Sequence, residues 1–293
     1  MKIGLFAPLR SPVCTPELLA DLGRGAEEAG LDSLWMGEHV VMFERYESRY
    51  PGSADGAFRF PEKSGLLDMT ATLGFLAAHT KTLRLGTGIR ILPQANPVYT
   101  AKEYATLDFI SGGRIDLGVG VGWSWEEFEA CAAPWERRGA RCDEYLEVMR
   151  TLWVDERSAF EGEFYRLPEC LMYPKPVQSP MVPVTVGGHS PGALRRAVRY
   201  GAGWYGINLS PAQVREKVAA LDRLLEAEGR AAGSLRIVVG STLEPIAPAD
   251  IAEYADAGAN EILLPFVRQS HKWLDRYLGS LAPFVEAARA CAA

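Results

Sequence analysis

The sequence predicts an α/β fold, a (β/α)8 TIM barrel, on three observations. Short apolar runs alternate with longer stretches of 3.6-residue periodicity, eight such pairs can be counted, and 293 residues suit a barrel of this kind. Strand-like runs that are each followed by a helix favour parallel pairing, because a parallel neighbour is reached through a crossover. Closure into a barrel fits eight of them best. The expectation is one domain, 1–293, with insertions at about 40–65 and 155–181.

The first apolar run, 2–8, leads to a helix in which Thr15 caps and Pro16 takes the first turn. Leu18, Leu19, Leu22, Ala26 and Ala29 form its stripe and Gly30 closes it. Further strands are expected at 33–37, 83–92, 114–120, 182–187, 204–208, 235–240 and 260–265. Helices are expected at 66–79, 97–110, 143–153, 192–200, 211–228, 248–258 and 272–290. The first insertion is rich in aromatic and charged residues, and the second carries Pro168, Pro174, Pro176 and Pro180. Long loops inside a compact domain are usually functional, so both are read as walls of a substrate pocket.

Composition narrows the partners. The net charge is -6, with acidic and basic residues interspersed, so no broad basic face exists for a nucleic acid. Five scattered cysteines without CxxC spacing fit reduced thiols and imply no structural metal. The apolar run 3–9 is too short for a signal-peptide core, and no stretch approaches the ~20 apolar residues of a membrane span. A soluble, cytoplasmic protein that acts on a small molecule is expected.

Barrel active sites lie at the C-terminal ends of the strands. There the second strand delivers Glu38 and His39, the third Gly88, Ile89 and Arg90, and the fourth the run from Gly118 through Gly120 and Gly122 to Trp123. The fifth delivers Gly187, Gly188 and His189. His39 is the best acid/base candidate because imidazole titrates near neutrality, although a hydrogen-bonded core histidine has the same position. Glu38 either orients His39, bonds a cofactor, or pairs with a barrel arginine. Glycines in the fourth-strand run let amides approach a ligand, and Ser124 and Glu127 have capping-box spacing; Glu126 and Glu127 would repel an anion there. The turn at Gly187-Gly188-His189, capped by Ser190 and followed by Arg195 and Arg196, is the better phosphate cradle. A Schiff-base lysine at a strand's inner end and a convergent metal-ligand set are both missing, which disfavours aldolase and metal-dependent hydrolase chemistry.

Nearly the whole chain resembles the luciferase-like monooxygenase superfamily, in its branch using the deazaflavin coenzyme F420. The carriers are the run from Ala26 to Trp35 before Glu38-His39, Leu85-Gly86-Thr87-Gly88-Ile89, Asn96-Pro97 and Ser111-Gly112-Gly113-Arg114. Glu144-Tyr145-Leu146 with Leu152-Trp153, Val186-Gly187-Gly188 and Gly203-Trp204 continue the series. The resemblance implies a cofactor ring over the barrel mouth, supported by a non-prolyl cis peptide between Gly88 and Ile89. It also implies phosphate contacts at Val121, Gly122, Trp123, Gly187, Gly188 and His189, and a hydride acceptor served by His39. Sugar-phosphate-oxidising members carry a glutamate where this chain has Trp123, so an apolar or aromatic substrate is expected, with Phe43, Tyr46, Tyr50 and Trp125 nearby and Glu126 as a stand-in acid. The same resemblance implies a homodimer and a flavin or F420 reductase as an indirect partner. Two alternatives stay open: a two-component monooxygenase using reduced FMN, and a flavin-binding protein without turnover.

Overall fold

Eight strands close a parallel barrel: β1 (Lys2–Phe6), β2 (Ser33–Met36), β3 (Arg84–Thr87), β4 (Ile115–Gly120), β5 (Val184–Gly187), β6 (Gly203–Ile207), β7 (Arg236–Gly240) and β8 (Glu261–Pro265). Each pairs with the next in sequence, and β8 pairs back onto β1 with Lys2 opposite Glu261. The computed structural model describes residues 1–53, 55–61, 63–241 and 245–291. The expected first insertion therefore includes two positions, 54 and 62, outside the described residues. None of the helices among the described residues is long and apolar enough to cross a membrane.

The strands read as near-continuous apolar runs because both faces are buried. One face packs against the surrounding helices, where Leu34, Leu85, Leu117, Val186 and Trp204 join the larger core. The other fills the barrel with Trp35, Tyr205, Val238 and Leu263, against which Phe6 and Ile89 pack. Helix starts follow the sequence signals: Thr15, Asn96, Ser190 and Ser210 each accept a backbone N–H at the head of a helix whose first residue is proline.

The barrel floor is ionic. Asp116 on β4 is buried, 2.8 Å from Arg84 Nε and 2.9 Å from Arg236 Nη2, while buried Glu261 accepts from the Ser33 hydroxyl. Removing one partner from such a cluster strands the others. Asp116→Ala is expected to destabilise the fold by about 2 kcal/mol, less than for a fully buried pair because both guanidinium groups keep some water. Urea unfolding at neutral pH measures this; an unchanged midpoint would show that water replaces the carboxylate at no cost.

Among the boundaries that differ from expectation, three show the largest departures. The third strand breaks after Thr87 and resumes as a short strand at Arg90–Ile91, because the chain bulges at Gly88 and Ile89. The last helix divides into His271–Gly279 and Ala282–Ala290, since Pro283 lacks an N–H and its ring excludes the carbonyl four residues earlier. The helix expected from 143 starts at Arg138; its first turn is polar and gives no apolar period.

Both insertions are tied down. Arg10–Ser11 pairs antiparallel with Gly65–Leu66 at the base of the first. Inside the second, Ser158–Glu161 and Arg166–Cys170 form an antiparallel hairpin, and the Glu144 carboxylate accepts the amides of Phe164 at 2.8 Å and Tyr165 at 3.0 Å at its turn.

Candidate active site

The end of β2 sends its two polar residues to different partners. Glu38 accepts from Arg90 Nη1 at 2.7 Å and from the Ile91 amide at 2.6 Å, pinning the segment beyond the bulge. Burial pushes its carboxyl pKa upward, against the pull of Arg90 and that amide. No hydrogen bond or ion pair joins it to His39 among the described residues. The expectation that Glu38 orients His39 is therefore corrected, and of its alternatives the barrel arginine is the one realised.

The carboxylate that holds His39 is Glu127. Its Oε2 lies 2.9 Å from His39 Nδ1 and its Oε1 accepts the Val40 amide at 3.1 Å, with 4% of the side chain exposed. Ser124 caps the short helix Trp125–Ala130 by accepting the Glu127 N–H at 3.3 Å. The glutamate side chain turns to His39 instead. A carboxylate three residues into a helix at the barrel mouth was the available signal, but capping-box spacing gave it a local purpose that concealed the distant one.

Glu126 faces the first insertion. It accepts the amides of Glu47 at 2.6 Å and Ser48 at 2.9 Å and the Ser124 hydroxyl at 2.7 Å, while Ser48 Oγ accepts the Trp125 amide. Burial opposes its charge, yet these donors bring its pKa down to about 2. It is therefore an anchor for the insertion, and its carboxylate is not free to replace the acid absent at Trp123. Because the folded pKa is depressed, its stabilisation is complete above the unfolded value near 4.5 and is lost as pH falls toward about 2. Wild type and Glu126→Gln should thus differ in stability at pH 6 and converge near pH 2. A gap independent of pH, followed by circular dichroism, would contradict the anchor's charge.

Anchored in this way, the insertion builds an aromatic box on His39. Phe58 lies 4.7 Å and Trp123 5.8 Å from the imidazole, centroid to centroid, and Tyr46, Tyr50 and Phe58 each stand 5.1 to 5.3 Å from Trp123. Phe43 joins through Tyr46. Trp125 is one-third exposed and outside these ring contacts, and Phe58 is a member that sequence reasoning missed. Below, the Tyr205 hydroxyl is buried with no hydrogen-bond partner among the described residues, and burial keeps this phenol protonated.

The Gly88–Ile89 peptide is cis. Three glycines make room for the bulge. A Cβ on Gly118 would stand 1.7 Å from the Thr87 carbonyl oxygen, one on Gly120 would stand 1.9 Å from Ile89 Cδ1, and one on Gly187 would stand 3.0 Å from Ile89 Cγ2. The glycine pattern read as an opening for ligand amides is largely an opening for the neighbouring strand.

Beyond it, Gly122 (φ +75°) and Gly188 (φ +115°) occupy backbone conformations that favour glycine. The amides of Gly122, Trp123 and His189 find no acceptor among the described residues. His189 Nε2 accepts the Ile207 amide at 3.1 Å, and burial, with Lys217 nearby, lowers its pKa. Arg196, expected beside the cradle, is instead paired with Asp143 and the Gly139 carbonyl, while Arg195 is exposed.

Residues 1–287 match the sequence model of the luciferase-like monooxygenase family. An uncharacterized protein of Mycobacterium tuberculosis is 30% identical over 283 residues, 96% of this chain and 98% of that protein. An F420-dependent glucose-6-phosphate dehydrogenase of Kineococcus radiotolerans is 31% identical over 244 residues, 80% of this chain and 65% of that protein. Among solved structures, a monooxygenase from Streptomyces bottropensis superposes with a TM-score of 0.78 at 22% identity, covering 100% of both chains. An F420-dependent secondary alcohol dehydrogenase in complex with an F420-acetone adduct does so with a TM-score of 0.78 at 18% identity, covering 98% of this chain and 99% of that one. At these structural identities the likeness is one of fold.

Proposed function

This chain belongs to the luciferase-like monooxygenase family, and we propose from that premise that it transfers hydride between an apolar or aromatic organic substrate and the deazaflavin coenzyme F420. The observation that carries the reading is His39, gripped at Nδ1 by Glu127 under an aromatic box. With a carboxylate accepting at Nδ1, the neutral imidazole is the tautomer that carries its hydrogen there and presents a lone pair at Nε2. His39 Nε2 then takes a hydroxyl proton as the substrate carbon is oxidised, and returns it in the reverse direction. Coenzyme F420, when bound, supplies a two-electron hydride acceptor.

The residues present fit such a group. Gly88 and Ile89 offer a bulged platform at the barrel mouth, and the amides of Gly122, Trp123 and His189, unpaired among the described residues, offer donors to an anion at the glycine turns. The charges of Glu126 and Glu127, which stood against an anion there, are met by the insertion's amides and by His39. Glu38 serves this site by holding Arg90 and Ile91, and thereby the bulge. Phe58, Trp123, Tyr46 and Tyr50 supply contact area rather than charge, which suits an apolar substrate better than the sugar phosphate named for the Kineococcus relative. A reductase recycling the carrier and assembly as a homodimer belong to the same reading.

A binding titration with coenzyme F420 and FMN, each oxidised and reduced, tests it. Micromolar affinity for F420 and none for FMN supports the deazaflavin reading. Preference for reduced FMN supports the oxygen-dependent monooxygenase that the family description also allows. Within the first outcome, Glu127→Gln is expected to lower kcat by about tenfold to hundredfold, as loss of a group that orients a functional imidazole does, with cofactor affinity retained. Equal kcat in the two proteins would remove Glu127 from the mechanism.

A further inference from the structure

The ring of Phe58 is enclosed by other rings. It meets His39 at 4.7 Å and Trp123 at 5.1 Å, centroid to centroid, takes Tyr50 at 5.0 Å and Tyr46 at 5.5 Å edge-on, and stacks on Phe60 at 6.0 Å. Little else ties down the segment that carries it. The backbone of residues 58–60 makes no hydrogen bond among the described residues, and the nearest ties, from the Ala57 amide at 3.0 Å and from Arg59 to the Asp55 carboxylate, stay within the turn. A side chain held by ring contacts alone can leave without opening a strand or a helix. Phe58 thus covers an imidazole whose Nδ1 is taken by Glu127 and whose Nε2 makes no hydrogen bond among the described residues. A molecule that reaches Nε2 enters this space, and whatever displaces Phe58 has to replace its contacts. Edge-on and tilted ring contacts are replaced in kind by another aromatic ring, and only in area by an aliphatic group.

We propose that the Phe58 ring fills the subsite of the substrate's aryl group and swings out when one binds, the substrate being an alcohol or ketone with an aromatic ring on the reacting carbon. The chemistry at His39 rests on the hydride-transfer reading above, whereas the filled subsite rests on the ring contacts alone. Because Phe58 lies directly against the imidazole, a ring in its place sits next to the oxygen that Nε2 serves, which puts that ring on the reacting carbon rather than farther along a chain. Binding is then a competition, and the apparent affinity is reduced to the extent that Phe58 keeps the subsite filled.

The test measures binding of acetophenone and of its aliphatic counterpart, cyclohexyl methyl ketone, by calorimetry on the full chain as wild type, Phe58→Ala, Phe58→Leu and Phe60→Ala. Oxidised coenzyme F420 is present throughout, since a ketone cannot take hydride from it. Phe58→Ala is expected to bind acetophenone about tenfold more tightly than wild type, with a smaller gain for the aliphatic ketone. Phe58→Leu should fall between the two proteins, and Phe60→Ala, which loses a ring on Phe58 but none on His39, should change less. A fixed wall gives the opposite sign: were Phe58 in contact with bound substrate, its truncation would weaken acetophenone, and that result overturns the proposal. So does an equal gain for the two ketones, or no binding of acetophenone by any of the four proteins. Should Phe58→Ala unfold, the direction of change in Phe58→Leu decides. Turnover of acetophenone with reduced F420 separates this proposal from the reading it extends. Tighter binding without turnover keeps the aryl subsite and ends the hydride-transfer reading, whereas turnover with weaker binding in Phe58→Ala does the reverse.

Discussion

His39→Ala is expected to lower kcat by about a hundredfold to ten-thousandfold, the range for loss of a general acid/base, with affinity for the bound carrier essentially unchanged. The separation follows from placement. His39 is held from one side by Glu127 and packed by Phe58 and Trp123, whereas the glycine turns and the Gly88–Ile89 bulge belong to other strands. Truncation therefore removes Nε2 without disturbing the donors at Gly122 and His189. Steady-state kinetics on whichever alcohol or ketone the wild type turns over, paired with the cofactor titration, reads both quantities. A variant with wild-type kcat would show that the proton moves by another route. A variant that loses cofactor affinity together with kcat would place His39 in the cradle.

Gly118→Ala is expected to cost about 3 kcal/mol of stability, the upper end for overpacking a well-filled interior. The added Cβ would lie 1.7 Å from the Thr87 carbonyl oxygen and 2.9 Å from its carbon, both backbone atoms immediately before the bulge. Retreat is obstructed because the Thr87 hydroxyl donates to the Gly118 carbonyl at 2.8 Å, tying the two strands at that point. Gly120→Ala makes the instructive comparison, since its Cβ meets Ile89 Cδ1, the end of a side chain that can rotate aside. Urea unfolding should show the larger loss at Gly118. A larger loss at Gly120 would mean that the Ile89 side chain, rather than the Thr87 backbone, is the rigid partner.

Sequence alone determined the barrel, because its evidence is local: eight apolar runs, eight periodic stretches, and caps at Thr15 and Ser190 that read correctly from neighbours in the chain. It also located the mouth of the barrel and His39 at a strand end, while the cis peptide at Gly88 came from the family resemblance. Only the tertiary structure decided which charges meet. Glu38 adjoins His39 in the chain yet pairs with Arg90, while the carboxylate on His39 arrives from 88 residues away. Glu126 and Glu127 are neighbours that serve the insertion and the imidazole separately. Arg196 follows the cradle in sequence but is taken by Asp143 and the Gly139 carbonyl. The physical reason is common to all four. Secondary structure answers to periodicities of two and 3.6 residues that any short window displays, whereas the partner of a buried charge is set by which loop closes over which strand end, and no short window contains both.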